Sequence, residues 1–295
     1  MRYKARVQPR PASAALVLAG TSLIVAVMAL FAKQAAMRLP GAEVAFVRFI
    51  FGLAACASAA FHRGLRAKNK AGLVLRGVLG GSAVLCYFLA IEHLPIGLAT
   101  LLNYTAPVFT AIWAAIFLGE ELDRATVGAL FAATCGVALV SGASWGSGRW
   151  VLVGCLSAML SGAAVATIRE VRRTDGSWEI FAAFCTGGAL ITGVPAVRGW
   201  VAPQAREWWL LAAVGVTAIA GQLGLTWSLR YVRAASAGIL QQLTPVGALA
   251  LGALVYGDRI TPLSALGAAI TVAAVGFGAW HIARPTGPAV LPEDA

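Results

Sequence analysis

Apolar runs of about 20 residues follow one another along almost the whole chain, separated by short segments with charged residues, proline or glycine. A helix of that length crosses the roughly 30 Å of hydrocarbon in a bilayer, whereas a barrel strand needs about ten residues of strict alternation. Because 59% of the 295 residues are hydrophobic and 12% are charged, little chain remains for a soluble domain. The sequence therefore predicts an all-α integral membrane protein.

The breaks between the runs divide the chain into ten predicted transmembrane helices. Their approximate ranges are 12–32, 42–61, 72–92, 97–118, 125–142, 149–168, 178–198, 208–228, 236–256 and 262–282. With a cytoplasmic N-terminus, sixteen of the 23 lysines and arginines fall in cytoplasmic segments and seven outside. We therefore predict a multi-pass protein of the bacterial inner membrane with both termini in the cytoplasm. The scatter of these basic residues argues against nucleic acid as a partner.

An internal repeat organises the ten helices. The segment from Ala106 to Glu120 aligns without a gap with the segment from Thr244 to Asp258, each matched pair lying 138 positions apart. Pro-Val and a glycine followed by an acid recur in register, in the predicted fourth and ninth helices. The chain then divides into repeats 1–142 and 143–295, which form one integrated membrane domain. Since each repeat has five helices, the second crosses in the opposite sense, and such inverted-topology repeats are typical of secondary transporters.

Two prolines are predicted hinges. Pro107 and Pro245 lie near the middles of the fourth and ninth spans, where a proline removes the hydrogen bond to the carbonyl four residues earlier. Those carbonyls belong to Asn103 and Gln241, so in both repeats a polar amide residue carries the freed carbonyl. A free carbonyl in hydrocarbon needs a cavity, water or a neighbouring helix. The alternative is that the prolines only shape the packing of the helices.

Polar and aromatic residues stand out against the apolar background of spans three, four, eight and nine. We expect the amides to bind the polar end of a substrate and the aromatic rings its apolar part. The alternative is that the rings pack against helices or lipid and that the glutamines join helices by hydrogen bonds worth about 1 kcal/mol. The candidate substrate-binding residues are Tyr87, Asn103, Tyr104, Trp113, Gln222, Trp227, Gln241 and Gln242.

Ionisable residues at depth are few. Arg48 lies about one and a half turns into the second span, close enough to an end to snorkel outward. The basic loop between the second and third spans is taken to extend to Arg76. This pattern favours a neutral or zwitterionic solute over an ion or polyanion.

Motifs for chemistry are absent from the sequence. Residues 142–146 match GxSxG, but they lie between membrane helices and not in the strand–turn–helix that a nucleophile elbow needs. The three histidines share no metal-ligand spacing, and the five cysteines fall inside apolar runs. We therefore predict no enzyme, no metal site and no cofactor.

The duplicated segments Ala99–Glu120 and Ala237–Asp258, together with EVAFVR at Glu43–Arg48, resemble ten-helix EamA-like members of the drug/metabolite transporter superfamily. The resemblance covers essentially the whole chain, although Asp258 stands where family members commonly have glutamate. It implies two inverted five-helix bundles around a central substrate cavity, with Arg48 at the position of the family's arginine in the second helix.

The same resemblance implies export of small neutral or zwitterionic metabolites, amino acids including aromatic ones, by alternating access. Alternative cargoes are a sugar phosphate, a nucleotide sugar or a drug. A phosphorylated cargo would require buried basic residues in spans eight to ten. Outside transport, the alternative is a membrane-embedded enzyme or scaffold. The expected partners are a small-molecule substrate and the lipid bilayer, with the chain as a monomer or homodimer.

Overall fold

The computed structural model describes residues 11–93, 102–141, 148–257 and 260–283, and within these ranges the regular secondary structure is helical. The prediction of an all-α chain is confirmed for these residues. The helices are α1 (Pro11–Ala35), α2 (Gly41–Arg63), α3 (Lys70–His93), α4 (Ala106–Leu118), α5 (Arg124–Ser141), α6 (Gly148–Val171), α7 (Ser177–Arg198), α8 (Ala205–Ser228), α9 (Ala234–Gln241), α10 (Leu243–Tyr256) and α11 (Pro262–Ala283).

Eight stretches of the described chain are long and apolar enough to cross a membrane, and α9 with α10 counts as one of them. The predicted fourth and fifth spans correspond to the shorter apolar helices α4 and α5. The start of the fourth span, the GxSxG motif and Asp258 lie outside the described residues. The chain is thus a multi-pass membrane protein, while the count of ten spans stays a prediction.

Helices of the first half pack mainly against helices of the second half. The main pairs are α1 with α8 and α10, α2 with α7 and α8, α3 with α6 and α7, α4 with α6 and α9, and α5 with α11. Glycine permits the closest approach: a Cβ on Gly187 of α7 would lie 2.5 Å from the backbone carbonyl of Gly77 of α3, and one on Gly81 would lie 2.9 Å from the Gly187 oxygen. Small residues of this kind let membrane helices meet backbone to backbone. The two halves therefore interleave.

The alternating helices place their connections at two ends of the bundle. We call the end with loops 64–69, 119–123, 172–176 and 229–233 the basic end, and the end with loops 36–40 and 199–204 the cavity end. Gly119 follows α4 at φ 64°, and Gly257, which is 138 residues later, follows α10 at φ 69°. Glycine adopts this left-handed conformation without a steric penalty and ends each helix there.

Candidate functional site

The two predicted hinges coincide with helix breaks. α9 ends at Gln241 and α10 begins at Leu243, so the ninth span consists of two helical segments. Pro245 is the third residue of α10 and Pro107 the second residue of α4, positions at which a helix needs no donor from the proline nitrogen. Each proline thus lies in the first turn of a helical segment, and Pro245 is near the middle of the span Ala234–Val255, as predicted.

The breaks contact each other through residues that the repeat relates. Gln242 donates a hydrogen bond from Nε2 to the backbone oxygen of Tyr104 at 3.1 Å, and residues 104 and 242 are 138 positions apart. The same amide donates to Oγ1 of Thr134 at 3.3 Å. Gly238 leaves room for the crossing, because a Cβ there would lie 2.8 Å from the Cβ of Pro107. The two repeats are therefore joined at the point where both backbones are interrupted.

A cavity of about 1000 Å³ lies beside this crossing. That volume is at the upper end of the range for small-molecule sites. Its wall is mainly apolar and is built by helices of both halves. The predicted residues that line it are Tyr87, Asn103, Tyr104, Gln222 and Gln241, together with Pro107 and Pro245.

The other three predicted substrate-binding residues contact neighbouring protein groups and lie outside this lining. Trp113 donates from Nε1 to the backbone oxygen of Met159 at 3.2 Å, which joins α4 to α6. Trp227 packs against Tyr231 with ring centroids 5.0 Å apart. Gln242 is fully buried, and its contacts match the alternative in which a glutamine joins helices.

Two arginines that the sequence placed elsewhere line the cavity. Arg48 faces it from α2 and Arg76 from α3. The expectation that Arg48 snorkels outward is wrong, and so is the assignment of Arg76 to the basic loop, because α3 begins at Lys70 and carries Arg76 inward with 3% exposure. Arg48 and Arg76 are thus ionisable residues that line the cavity, although the sequence predicted few such residues at depth.

Helical periodicity is the signal that could have found Arg76. Positions 76, 80, 83, 84 and 87 repeat at steps of three and four, which places Arg76 on the same face of α3 as Tyr87. All five positions line the cavity. Following the face of α3 that carries Tyr87 back toward the start of the helix would have identified Arg76 as a cavity residue.

Polar contacts hold the basic end closed. Glu120, after α4, accepts a hydrogen bond from Nε of Arg169 at 3.2 Å and from the backbone nitrogen of Ala234 at 3.1 Å. Arg169 also donates to the backbone oxygen of Leu229 at 2.7 Å. One carboxylate thus ties α4 to α6 and to the start of α9, where an acid is favourable to the helix dipole.

Two further acids organise the same end. Asp123 accepts from the backbone nitrogen of Thr126 at 2.7 Å and so caps the start of α5. Asp175 accepts from the backbone nitrogens of Lys68 and Asn69 at 2.7 and 3.0 Å. Burial raises the pKa of Asp175, but hydrogen bonds from Thr174 and these two nitrogens bring the pKa below its ordinary value.

Among the described residues, fewer polar contacts are found at the cavity end. Arg38 pairs with Glu207 and donates to the backbone oxygen of Ala202 at 2.7 Å, and Glu43 accepts from the backbone nitrogen of Val201 at 2.9 Å. Arg38 thus joins the 36–40 loop to the 199–204 loop and the start of α8, and Glu43 joins the start of α2 to the 199–204 loop. The lining of the cavity extends to this end, where it includes Ala36, Leu39, Pro40 and Gly41. The basic-end loops contribute no residue to the described lining.

Comparisons with known proteins agree with this architecture. The model of the EamA-like transporter family matches residues 12–142 and again residues 148–278, which indicates a two-repeat fold. The chain is 30% identical over 259 residues to the pseudopaline exporter CntI of Pseudomonas aeruginosa, covering 86% of this chain and 91% of that protein. It is 28% identical over 231 residues to human solute carrier family 35 member E4, covering 73% of this chain and 66% of that protein.

A solved crystal structure shares the fold, with a TM-score of 0.76, 22% identity and coverage of 93% of this chain and 98% of the other. Interleaved membrane helices around a cavity with repeat-related breaks define a membrane transporter. The chain belongs to the EamA-like transporter family.

Proposed function

We propose that this protein is a secondary exporter of small amphipathic metabolites, amino acids including aromatic ones, that works by alternating access as YddG-type exporters do. The observation that carries the proposal is the cavity of about 1000 Å³ beside the crossing of two breaks that lie 138 residues apart. In an inverted five-plus-five repeat, the two breaks are equivalent hinges. Rocking of one repeat against the other then exposes the same site to either side of the membrane.

Each group of lining residues has a proposed role in this cycle. Tyr87 and Tyr104 contact the apolar part of the substrate, while the amides of Asn103, Gln222 and Gln241 bind its polar part. Trp113, Trp227 and Gln242 reach the substrate only after a rearrangement of the helices, since each now contacts neighbouring protein groups. The described residues of one chain line the cavity, and the expected assembly is a monomer or a homodimer.

The orientation follows from the distribution of basic residues. With Arg76 assigned to the cavity, fifteen of the 23 lysines and arginines remain in segments predicted on the basic side, which is proposed to face the cytoplasm of a bacterial cell together with both termini. The cavity end then faces outward. The name of the Pseudomonas aeruginosa relative supports export as the direction of transport. A protease site after the C-terminus should be cleaved in inside-out vesicles and protected in intact spheroplasts.

Counterflow in proteoliposomes tests the proposal. Vesicles with purified protein and unlabelled phenylalanine inside should accumulate labelled phenylalanine above the level of protein-free vesicles. Asn103→Ala and Gln241→Ala should raise the concentration for half-maximal uptake, whereas Gln34→Ala, an amide on α1 outside the lining, should behave as the wild type. Absence of counterflow for phenylalanine and other amino acids would exclude amino acids as cargo.

A further inference from the structure

Two cationic side chains face the cavity without an acid partner. Arg48 and Arg76 line the wall from α2 and α3. In the part of the chain that the structure describes, no carboxylate is hydrogen-bonded or ion-paired to either guanidinium, and the ion pairs found there involve other arginines. Arg76 is 3% exposed, and its Nε has no partner. An unpaired charge at this depth is unfavourable, so its retention requires an explanation.

An aromatic pair holds the two guanidinium groups in place. The guanidinium carbon of Arg76 lies 4.1 Å from the ring centroid of Phe184, and that of Arg48 lies 4.9 Å from the centroid of Phe49. The two rings meet edge to face at 5.0 Å. Cation–π contacts orient the guanidinium groups but leave their N–H donors unsaturated.

Local sequence gives Arg76 its path into the cavity. Gly80 follows one turn later on the same face of α3, and a Cβ at this position would overlap the terminal nitrogen of Arg76. The bare glycine backbone therefore lets the side chain lie along the helix. The outcome is two convergent, donor-rich cations beside an apolar chamber, an arrangement that fits planar or tetrahedral oxyanions.

We infer that Arg48 and Arg76 form an anion subsite that binds a carboxylate or phosphate of the substrate, so that solutes with net negative charge are preferred. The inference rests on the proposed function and names the substrate class for the same cavity. It replaces the neutral solute expected from the sequence, because the two arginines add positive charge that a zwitterion does not balance. The remainder of the substrate extends toward Tyr87, three turns along α3, and toward the amides at the breaks.

A ligand panel with a common phenyl ring tests the subsite. Purified protein in nanodiscs is titrated with phenethylamine, phenylalanine, phenyllactate, phenylsuccinate and phenyl phosphate, and binding is measured by calorimetry and by the melting temperature. We expect the anions to bind more tightly than phenylalanine, and phenethylamine to bind most weakly. Comparison of phenylsuccinate with phenyl phosphate shows whether carboxylates or phosphates are the better ligands.

Substitutions then locate the charge effect. Arg48→Gln and Arg76→Gln should each weaken anion binding by about tenfold to a hundredfold, the usual effect of removing a hydrogen bond to a charged group. Arg149→Gln, on the exposed start of α6, is the matched control and should bind as the wild type. Arg76→Lys keeps the charge but loses the forked geometry, and should give an intermediate loss.

Stability separates a binding role from a packing role. Without ligand, Arg76→Gln should melt at a higher temperature than the wild type, because it removes an unpaired buried charge. A lower melting temperature together with unchanged anion affinity would overturn the inference and identify Arg76 as a packing residue. If Arg76→Gln does not fold, Arg48→Gln and Arg76→Lys still test the inference. If both of these variants bind anions with wild-type affinity, the anion subsite is contradicted.

Transport and binding results distinguish this inference from the proposed function. If phenylalanine exchanges normally while the anions neither bind nor compete, the subsite is wrong and the transporter stands. If the anions bind in an arginine-dependent way but no member of the panel crosses the vesicle membrane, the subsite stands and the proposed transport of this class fails.

Discussion

The two ends of the helix bundle are held by different kinds of contact. At the basic end, Glu120 bonds to both Arg169 and the backbone of Ala234, with side-chain exposures of 11% for Glu120 and 26% for Arg169. At the cavity end, the principal ion pair joins Glu207 to Arg38, whose side chain is 40% exposed. The lining of the cavity reaches only the second of these ends within the described residues. Among the described residues, the basic-end ion pair is thus more buried on its cationic side, whereas the cavity end combines the exposed Arg38 with a buried carboxylate, Glu43, that accepts from the backbone of Val201.

This difference between the ends indicates which contacts would be costly to break during the proposed transport cycle. In the proposed alternating-access cycle the closed end opens, so the contacts of Glu120 would break in each cycle. A mostly buried ion pair is costly to break, because each partner loses its counter-charge before water reaches it. An exposed pair loses little, since water and salt replace the partner. Among the described residues, more of the polar contacts between helices lie at the basic end, which is the closed side in the proposed cycle.

Removing the central carboxylate of the basic end should have the largest effect. Glu120→Ala leaves Arg169 and the backbone nitrogen of Ala234 without their partner, and we expect it to lower the free energy of unfolding by about 2 to 3 kcal/mol. Thermal unfolding in detergent measures the effect. Glu170→Ala is the matched control, because the Arg173–Glu170 pair is 65% and 46% exposed and contributes at most about 0.5 kcal/mol. Equal losses in the two variants would contradict a special role for Glu120.

The two proposed hinges lie between the ends of the bundle, and their replacement should slow transport without unfolding the protein. Pro107→Ala and Pro245→Ala supply a backbone donor at the start of α4 and α10, which allows the helix to continue across the break. We expect the exchange rate in proteoliposomes to fall by about tenfold, equivalent to about 1.4 kcal/mol in the barrier, with the melting temperature nearly unchanged. Pro195→Ala, in α7 away from the breaks, is the control. Unchanged exchange in both hinge variants would contradict the hinge role.

Features with a strong local cause were predictable from the sequence. The helical class followed from the length of the apolar runs, and the register of the repeat placed Gly119 and Gly257 at equivalent helix ends. Periodicity groups residues such as Arg76 and Tyr87 on one face of a helix, but the sequence alone does not show which face of each helix meets the cavity. Arg76 and Trp113 are both amphipathic residues near apolar neighbours, yet tertiary packing turns Arg76 into the cavity and Trp113 toward α6.

Adjacent glutamines at the second break should separate binding from coupling between the repeats. Gln241 lines the cavity, whereas Gln242 is fully buried and bonds to the backbone of Tyr104. Gln242→Leu should therefore lower the free energy of unfolding by about 1 kcal/mol, the usual value of one hydrogen bond, with substrate affinity little changed. Gln241→Leu should do the reverse, weakening substrate binding and leaving stability nearly constant. The same phenotype for both variants would show that neighbouring residues do not divide these roles.

The cavity end should give the smallest effect and the strongest dependence on salt. Arg38→Ala removes an exposed charge, and Glu207 keeps its hydrogen bond from the backbone nitrogen of Gln204 at the start of α8. We expect a fall in melting temperature that is smaller than that of Glu120→Ala and that disappears in about 0.5 M salt, where screening already weakens the wild-type pair.

Glu207→Ala is a second test of the cavity end, because it removes both the ion pair with Arg38 and the cap at the start of α8. Its excess effect over Arg38→Ala should persist in high salt, since a capping hydrogen bond at short range is little affected by screening. If Arg38→Ala instead destabilises the protein as much as Glu120→Ala does, at low and at high salt, the two ends are equally closed. The cavity would then open to neither side in this state, and the asymmetry between the ends would have to be abandoned.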